Sequence, residues 1–159
     1  ADCLSSGMIT SNRTKRRQAM STLKEQIATI ITPLQLSSLA TIAGGKPWVR
    51  YVMTVGGDDL NVRFATYAGS RKVAQIAANP EVHVTLGVND PANMTPYLQI
   101  QGRARFSTEA AERHGFWSEM LANYFSGPDD PNYGVVIVTP YRIELAQAGV
   151  PEPEVWTAK

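Results

Sequence analysis

The sequence predicts a mainly β domain of the α+β class: a six-stranded antiparallel barrel with helices packed outside it. Three observations carry that expectation. Six stretches alternate or concentrate apolar residues over strand lengths. The first three are joined by tight turns, Gly44-Gly45 and Gly56-Gly57-Asp58-Asp59, which suit antiparallel neighbours. The crossover helices that a doubly wound parallel sheet needs are missing from this early part of the chain. Closing the sheet into a barrel removes its exposed edges.

The elements follow in order. Residues 1–19 form a polar, basic arm in which Arg13, Lys15, Arg16 and Arg17 cluster. Such an arm is read as a solvated tail, with an anionic partner or a neighbouring subunit as the other reading. The chain does not begin with Met, and Met8 and Met20 are both possible starts, so the arm is read as a processed or added extension. A single domain is expected over residues 20–149, since 159 residues suffice for one proper core. Thr22-Leu23-Lys24-Glu25 has the spacing of a capping box, and Leu23, Ile27, Ile30, Ile31 and Leu34 continue with helical period until Pro33 tightens or ends the helix. Strands are expected over Leu36–Ile42, Trp48–Val55 and Leu60–Thr66. A helix over Ser70–Ala78 follows, stopped by Asn79-Pro80. Glu81–Val88 and Tyr97–Phe106 are the fourth and fifth strands, separated by a polar loop over Asn89–Thr95. Gly102 suggests a bulge or a close backbone approach. Thr108–Tyr124 is expected as one long helix and Val135–Leu145 as the last strand. The tail Val150–Lys159 is expected to be disordered or merely docked, with Trp156 folding back over the site as an alternative.

Composition excludes some functions. A charged content of 18% against 43% hydrophobic is that of a folded chain rather than a disordered one. A net charge of +1 supplies no global field for nucleic acid or an acidic membrane, so neither is expected as a partner. Cys3 is the sole cysteine, which rules out an intramolecular disulfide and a cysteine-rich metal site and suits a reducing compartment. No apolar run approaches the roughly 20 residues that span a bilayer, and signal-peptide features are missing, so a cytoplasmic location is expected.

The chemistry concentrates in Phe64–Pro80. Ser70 is a good N-cap, its hydroxyl able to accept from a free backbone N–H of the first turn. Arg71 and Lys72 follow where the helix dipole is positive, an arrangement that costs a few tenths of a kcal/mol unless an anion is present. Hydroxyl, guanidinium, ammonium and free amides together describe a phosphate seat; a solvated helix start with two surface cations is the bland alternative.

Taken in order, Arg50-Tyr51-Val52-Met53, Phe64-Ala65-Thr66, Gly69-Ser70-Arg71-Lys72, Gln75-Ile76 and Asn79-Pro80 resemble the pyridoxamine phosphate oxidase family, which has the FMN-binding split-barrel fold. Gly102-Arg103-Ala104 resembles its fifth-strand pattern, and Phe125 with Gly127-Pro128-Asp129-Asp130-Pro131 resembles the general stress protein 26 branch. The resemblance implies a homodimer with FMN at the subunit interface. Arg50, Arg71 and Lys72 would hold the phosphate over a helix capped by Ser70. The backbone of Arg50, Tyr51, Val52 and Met53 would run along the flavin ring, while Ala65 and Thr66 would line the ribityl and phosphate region. Tyr97 stands where the family has a flavin-contacting Gln, with Gln99 and Gln101 close by.

Other positions depart from the family. Val55 replaces the Lys that binds substrate phosphate, Ala146 replaces an aromatic residue, and the C-terminal Arg-x-His motif is missing, since the only histidines are His83 and His114. An unpaired substrate dianion would bind poorly, so vitamin B6 oxidation is not expected. Neither histidine has a partner at metal-ligand spacing, so no metal site is expected. Ser37, Ser38 and Ser70 have no evident base, and Asp58-Asp59 and Asp129-Asp130 lie in turns. The expected function is an FMN flavoprotein exchanging reducing equivalents with a small substrate or a nicotinamide donor. A non-catalytic flavin binder, and a split barrel taking the deazaflavin F420 or haem, are the alternatives.

Overall fold

The computed structural model describes residues 21–88, 90–92 and 96–159. The basic arm, Cys3, both candidate start methionines and part of the Asn89–Thr95 loop lie outside these residues. Among the described residues three α-helices, α1 (Leu23–Ile31), α2 (Arg71–Ala78) and α3 (Ala110–Phe116), accompany seven strands. The strands are β1 (Gln35–Ala43), β2 (Lys46–Gly56), β3 (Val62–Tyr67), β4 (Glu81–Leu86), β5 (Tyr97–Ser107), β6 (Tyr133–Ala146) and β7 (Glu154–Thr157). The sheet runs β3-β2-β1-β4-β5-β6 and closes where β3 pairs with β6, all antiparallel. The result is the expected six-stranded barrel with one strand added at β6.

Period-2 alternation fills the barrel. Leu39, Val52, Phe64, Val84, Ile100 and Val138 point inward and are buried. The α1 helix covers one end with Ile27 and Ile31, both fully buried. Its start is the capping box that the Thr-Leu-Lys-Glu spacing predicts: Glu25 N–H donates to Thr22 Oγ1 at 3.2 Å, and Thr22 N–H donates to Glu25 Oε2 at 2.9 Å. Gly44 and Gly45 take positive φ, 58° and 73°, which is what their turn requires of them. At Gly102 the β5–β6 register shifts, and an added Cβ would lie 2.7 Å from Thr139 O, so both expectations for that glycine hold.

Two elements differ from expectation. The stretch Thr108–Tyr124 is not one helix: α3 ends at Phe116, Trp117 and Ser118 are extended, and a 3-10 helix covers Glu119–Asn123. The break has a packing cause. It lets Trp117 meet Tyr133 edge-on at 5.5 Å while Phe125 reaches the same ring at 4.9 Å. Leu121, Phe125, Tyr133, Val135 and Ile137 then form a second buried cluster, and this tertiary gain outweighs local helix propensity.

The tail is the other difference. Glu154–Thr157 forms β7, which pairs with Arg142–Leu145 of β6. On β6, β3 takes only Tyr133–Val138, so β7 satisfies backbone that β3 leaves free. Trp156 opposes Ile143 and packs on the barrel core rather than over the cavity described below. Because Trp156 is only partly buried, Trp156→Ala is expected to cost about 1–2 kcal/mol. For a chain of this size that lowers the melting temperature by about 3–8 °C. An unchanged melt would show that the tail is undocked in solution.

Candidate functional site

The site begins where the barrel opens. β2 pairs from Lys46 to Thr54 with the whole of β1, and β3 pairs with β6 from Val62 to Tyr67. Between themselves β2 and β3 pair only at Val55–Arg63 and Gly56–Val62. Beyond that point the two strands part, and their facing edges carry backbone N–H and C=O groups with no strand partner. A cavity of about 630 Å³ lies along this split. Tyr51, Val52 and Met53 line it from β2, Ala65 and Thr66 from β3, and Lys72 from α2. The opposite wall is apolar and aromatic: Phe116, Met120, Leu121, Tyr124 and Phe125.

At the mouth stands the start of α2. Ser70 occupies the N-cap position with extended backbone (φ −71°, ψ 145°), but its hydroxyl does not cap the helix. It lies 3.2 Å from Thr66 Oγ1 instead, and Lys72 Nζ donates to that same oxygen at 3.0 Å. The expected capping bond is therefore replaced by a Ser70–Thr66–Lys72 chain, because the β3 hydroxyl competes for the serine. The first turn of α2 has no acidic residue.

Three cations gather here. The Arg71 guanidinium lies 4.6 Å above the Trp48 ring. Burial and the neighbouring Arg71 charge lower the Arg50 pKa, while burial and then Arg50 lower that of Lys72. Among the described residues none of the three pairs with a carboxylate. Unneutralised like charges held together at a helix N-terminus favour an anion between them.

Arg50 is held from within. Nη1 donates to Leu39 O at 3.2 Å and to Thr41 Oγ1 at 2.7 Å, and Nη2 donates to Gln75 Oε1 at 2.7 Å. Thr41 and Gln75, like the aromatic wall, escape a reading of the sequence for charged motifs. Thr41 signals itself only as a polar residue on the inward register of β1, whereas Gln75 follows Arg71 by one helical turn and stands in one of the runs that carry the family resemblance.

The remaining candidates lie apart. Tyr97 opens β5 opposite Ala146, so the two family departures meet in one ladder pair. Gln99 lines a separate cavity of about 120 Å³ with His83, Gln101, Arg142 and Glu144, in which His83 Nε2 is buried without a partner. Within one chain, Tyr97 and Gln99 do not reach the Arg50 cluster. His114 pairs with Asp129 at 2.7 Å on the surface. Asp59 and Asp130 bond within their turns, as turn chemistry predicts. Among the described residues no three His, Cys, Asp or Glu side chains gather as metal ligands, and no helix is long and apolar enough to cross a membrane.

General stress protein 26 of Bacillus subtilis (strain 168) is 32% identical over 131 residues, which is 82% of this chain and 93% of that one. The crystal structure of General Stress Protein 26 from Bacillus anthracis str. Sterne superposes with a TM-score of 0.73 at 29% identity, covering 86% of this chain and 98% of that one. An F420 reductase shares the fold with a TM-score of 0.56 at 22% identity, over 78% of this chain and 98% of that one. Residues 23–147 match the family described as Pyridoxamine 5'-phosphate oxidase, and the chain belongs to that family.

Proposed function

We propose that this protein is an FMN-binding flavoprotein and acts as an oxidoreductase on a small substrate, with a nicotinamide as the candidate electron donor. The observation that carries the reading is the uncompensated triad Arg50, Arg71 and Lys72 at one end of the split between β2 and β3. Its chemistry suits a phosphate monoester, and the unpaired strand edges beside it suit a planar ring rich in hydrogen-bonding groups. When bound, the flavin supplies the redox chemistry. The chain's own residues bind and enclose. Arg50, Arg71 and Lys72 hold the phosphate, with Thr66 and Ser70 beside it. The β2 backbone at Tyr51–Met53 orients the ring. Phe116, Tyr124 and Phe125 keep water from it. Among the described residues no acid or base lines the cavity apart from Lys72 and phenols, which suits transfer of a hydride more than general acid–base work.

Vitamin B6 oxidation does not fit. Val55 lines the cavity where the family binds substrate phosphate through Lys, leaving an apolar wall for a dianion.

A homodimer belongs to this reading. The outward face of the β1–β2 ribbon carries Leu36, Val49, Tyr51 and Met53, with Tyr51 76% and Val49 67% exposed. An apolar face of this kind is suited to a second copy related by a twofold axis. A cofactor at such an interface would let Tyr97 and Gln99 of one copy serve the site built on Arg50 of the other.

F420 is the second reading, favoured by the fold shared with an F420 reductase, and the cation triad accepts its phosphate equally well. Haem is disfavoured because His83 and His114 both stand outside the 630 Å³ cavity. Gel filtration after adding FMN tests the proposal: flavin absorbance is expected to co-elute with the protein at the mass of a dimer. Turnover of a reduced nicotinamide then separates an enzyme from a binder. A colourless protein that takes up F420 would overturn the FMN assignment.

A further inference from the structure

A guanidinium has five N–H donors. In Arg50 three of them are engaged among the described residues, two from Nη1 to Leu39 O and Thr41 Oγ1 and one from Nη2 to Gln75 Oε1. Nε–H and the second Nη2 proton are left, a fork of the kind that meets two phosphate oxygens. The Thr41 hydroxyl donates to the same Gln75 oxygen at 2.6 Å. One amide oxygen therefore accepts from hydroxyl and guanidinium together and fixes each against the other.

This bracket is shielded and neutral. Thr41 is fully buried and Gln75 is 7% exposed. Gln75 stands on α2, four residues after Arg71, so the helix that presents Arg71 and Lys72 also holds Arg50. A carboxylate at this place would orient the guanidinium equally well but would cancel its charge. An amide orients it and leaves the charge for an incoming anion.

The geometry points to Gln75, seconded by Thr41, as a positioning residue of the anion seat: its amide oxygen turns Arg50 so that the free fork faces a phosphate. The inference rests on the FMN reading above. The plainer role, satisfying buried polar groups, predicts lost stability without phosphate selectivity.

Titration of FMN and of riboflavin, followed by flavin fluorescence, separates the two roles, because only FMN carries the phosphate. Gln75→Met keeps the side-chain length and removes the acceptor. It is expected to weaken FMN about tenfold, the scale of one charge-assisted bond. Riboflavin should change less than about twofold. In an Arg50→Ala background the same substitution should change FMN affinity less than about twofold, since residues acting through one group are not additive. Gln75→Glu is expected to keep the melting temperature and still lose FMN affinity. Should Gln75→Met not fold, Thr41→Val carries the same comparison with a smaller loss. Equal losses for both flavins, an unchanged FMN affinity, or a full effect without Arg50 would each overturn the inference alone. A wild-type protein that binds no FMN would overturn the flavin reading together with it.

Discussion

Replacing Arg71 and Lys72 together by Glu is expected to abolish FMN binding while leaving the barrel folded. The two halves of that result have separate causes. A phosphate seated on α2 would make charge-assisted bonds to both side chains, each worth about 1.5–3 kcal/mol. Losing both, and facing two carboxylates instead, should weaken FMN by at least about a thousandfold at 1.4 kcal/mol per factor of ten. Riboflavin, which has no phosphate, loses far less. Folding is spared because neither cation belongs to the core. Arg71 is exposed and its stacking on Trp48 is worth about 0.5–1 kcal/mol. Among the described residues Lys72 bonds only to Thr66. Against these losses, acidic residues in a first helical turn are favoured by about 0.3–1 kcal/mol each. Circular dichroism should therefore show a melt close to that of the wild type, and flavin titration should show no saturation. Undiminished FMN affinity would move the phosphate elsewhere and remove the site assignment.

Much of this seat was legible because it is local. Ser70, Arg71 and Lys72 are neighbours in sequence, and a helix start is fixed by the few residues around it. The same holds for the Thr22–Glu25 box, the Gly44-Gly45 turn and the alternation of β4 and β5. What escaped depends on distant partners. Ser70 turns from its own helix to Thr66 on β3, which no capping rule anticipates. Trp117 leaves helical geometry for Tyr133, sixteen residues on. The β7 strand exists because β3 covers only part of β6, a fact of barrel closure rather than of the tail's composition. Arg50 was legible as a cation but not as an oriented one, since its holders Thr41 and Gln75 come from two other elements. Resemblance suggested Tyr97 and Gln99 as flavin contacts, and within one chain β4 and β1 stand between their strand and that of Arg50.

Where β2 and β3 still pair, Gly56 also faces the last turn of helix α1, and Gly56→Ala is the expected lesion there. A Cβ built on Gly56 would stand 2.5 Å from the backbone oxygen of Ile31 and 2.7 Å from Ile31 Cγ2. Neither atom can give way cheaply. The oxygen belongs to the last turn of α1, and the Ile31 side chain is fully buried in the core. Relief therefore requires α1 to lift from the sheet, or β2 to shift at one of its only two pairings with β3. Overpacking of this kind costs about 1–3 kcal/mol, and a backbone contact places it at the upper end. At about 2–4 °C per kcal/mol, the melting temperature should fall by about 5–10 °C. The seat at α2 lies beyond the pairing, where the strands have already parted. FMN affinity measured well below the melt should consequently stay within about threefold of wild type, by the additivity expected of separate sites. A melt unchanged by the substitution would show that α1 stands farther from β2 than 2.5 Å allows. A collapse of FMN affinity at full foldedness would show that the opening of the split is set at Gly56 and transmitted along β2 to Arg50.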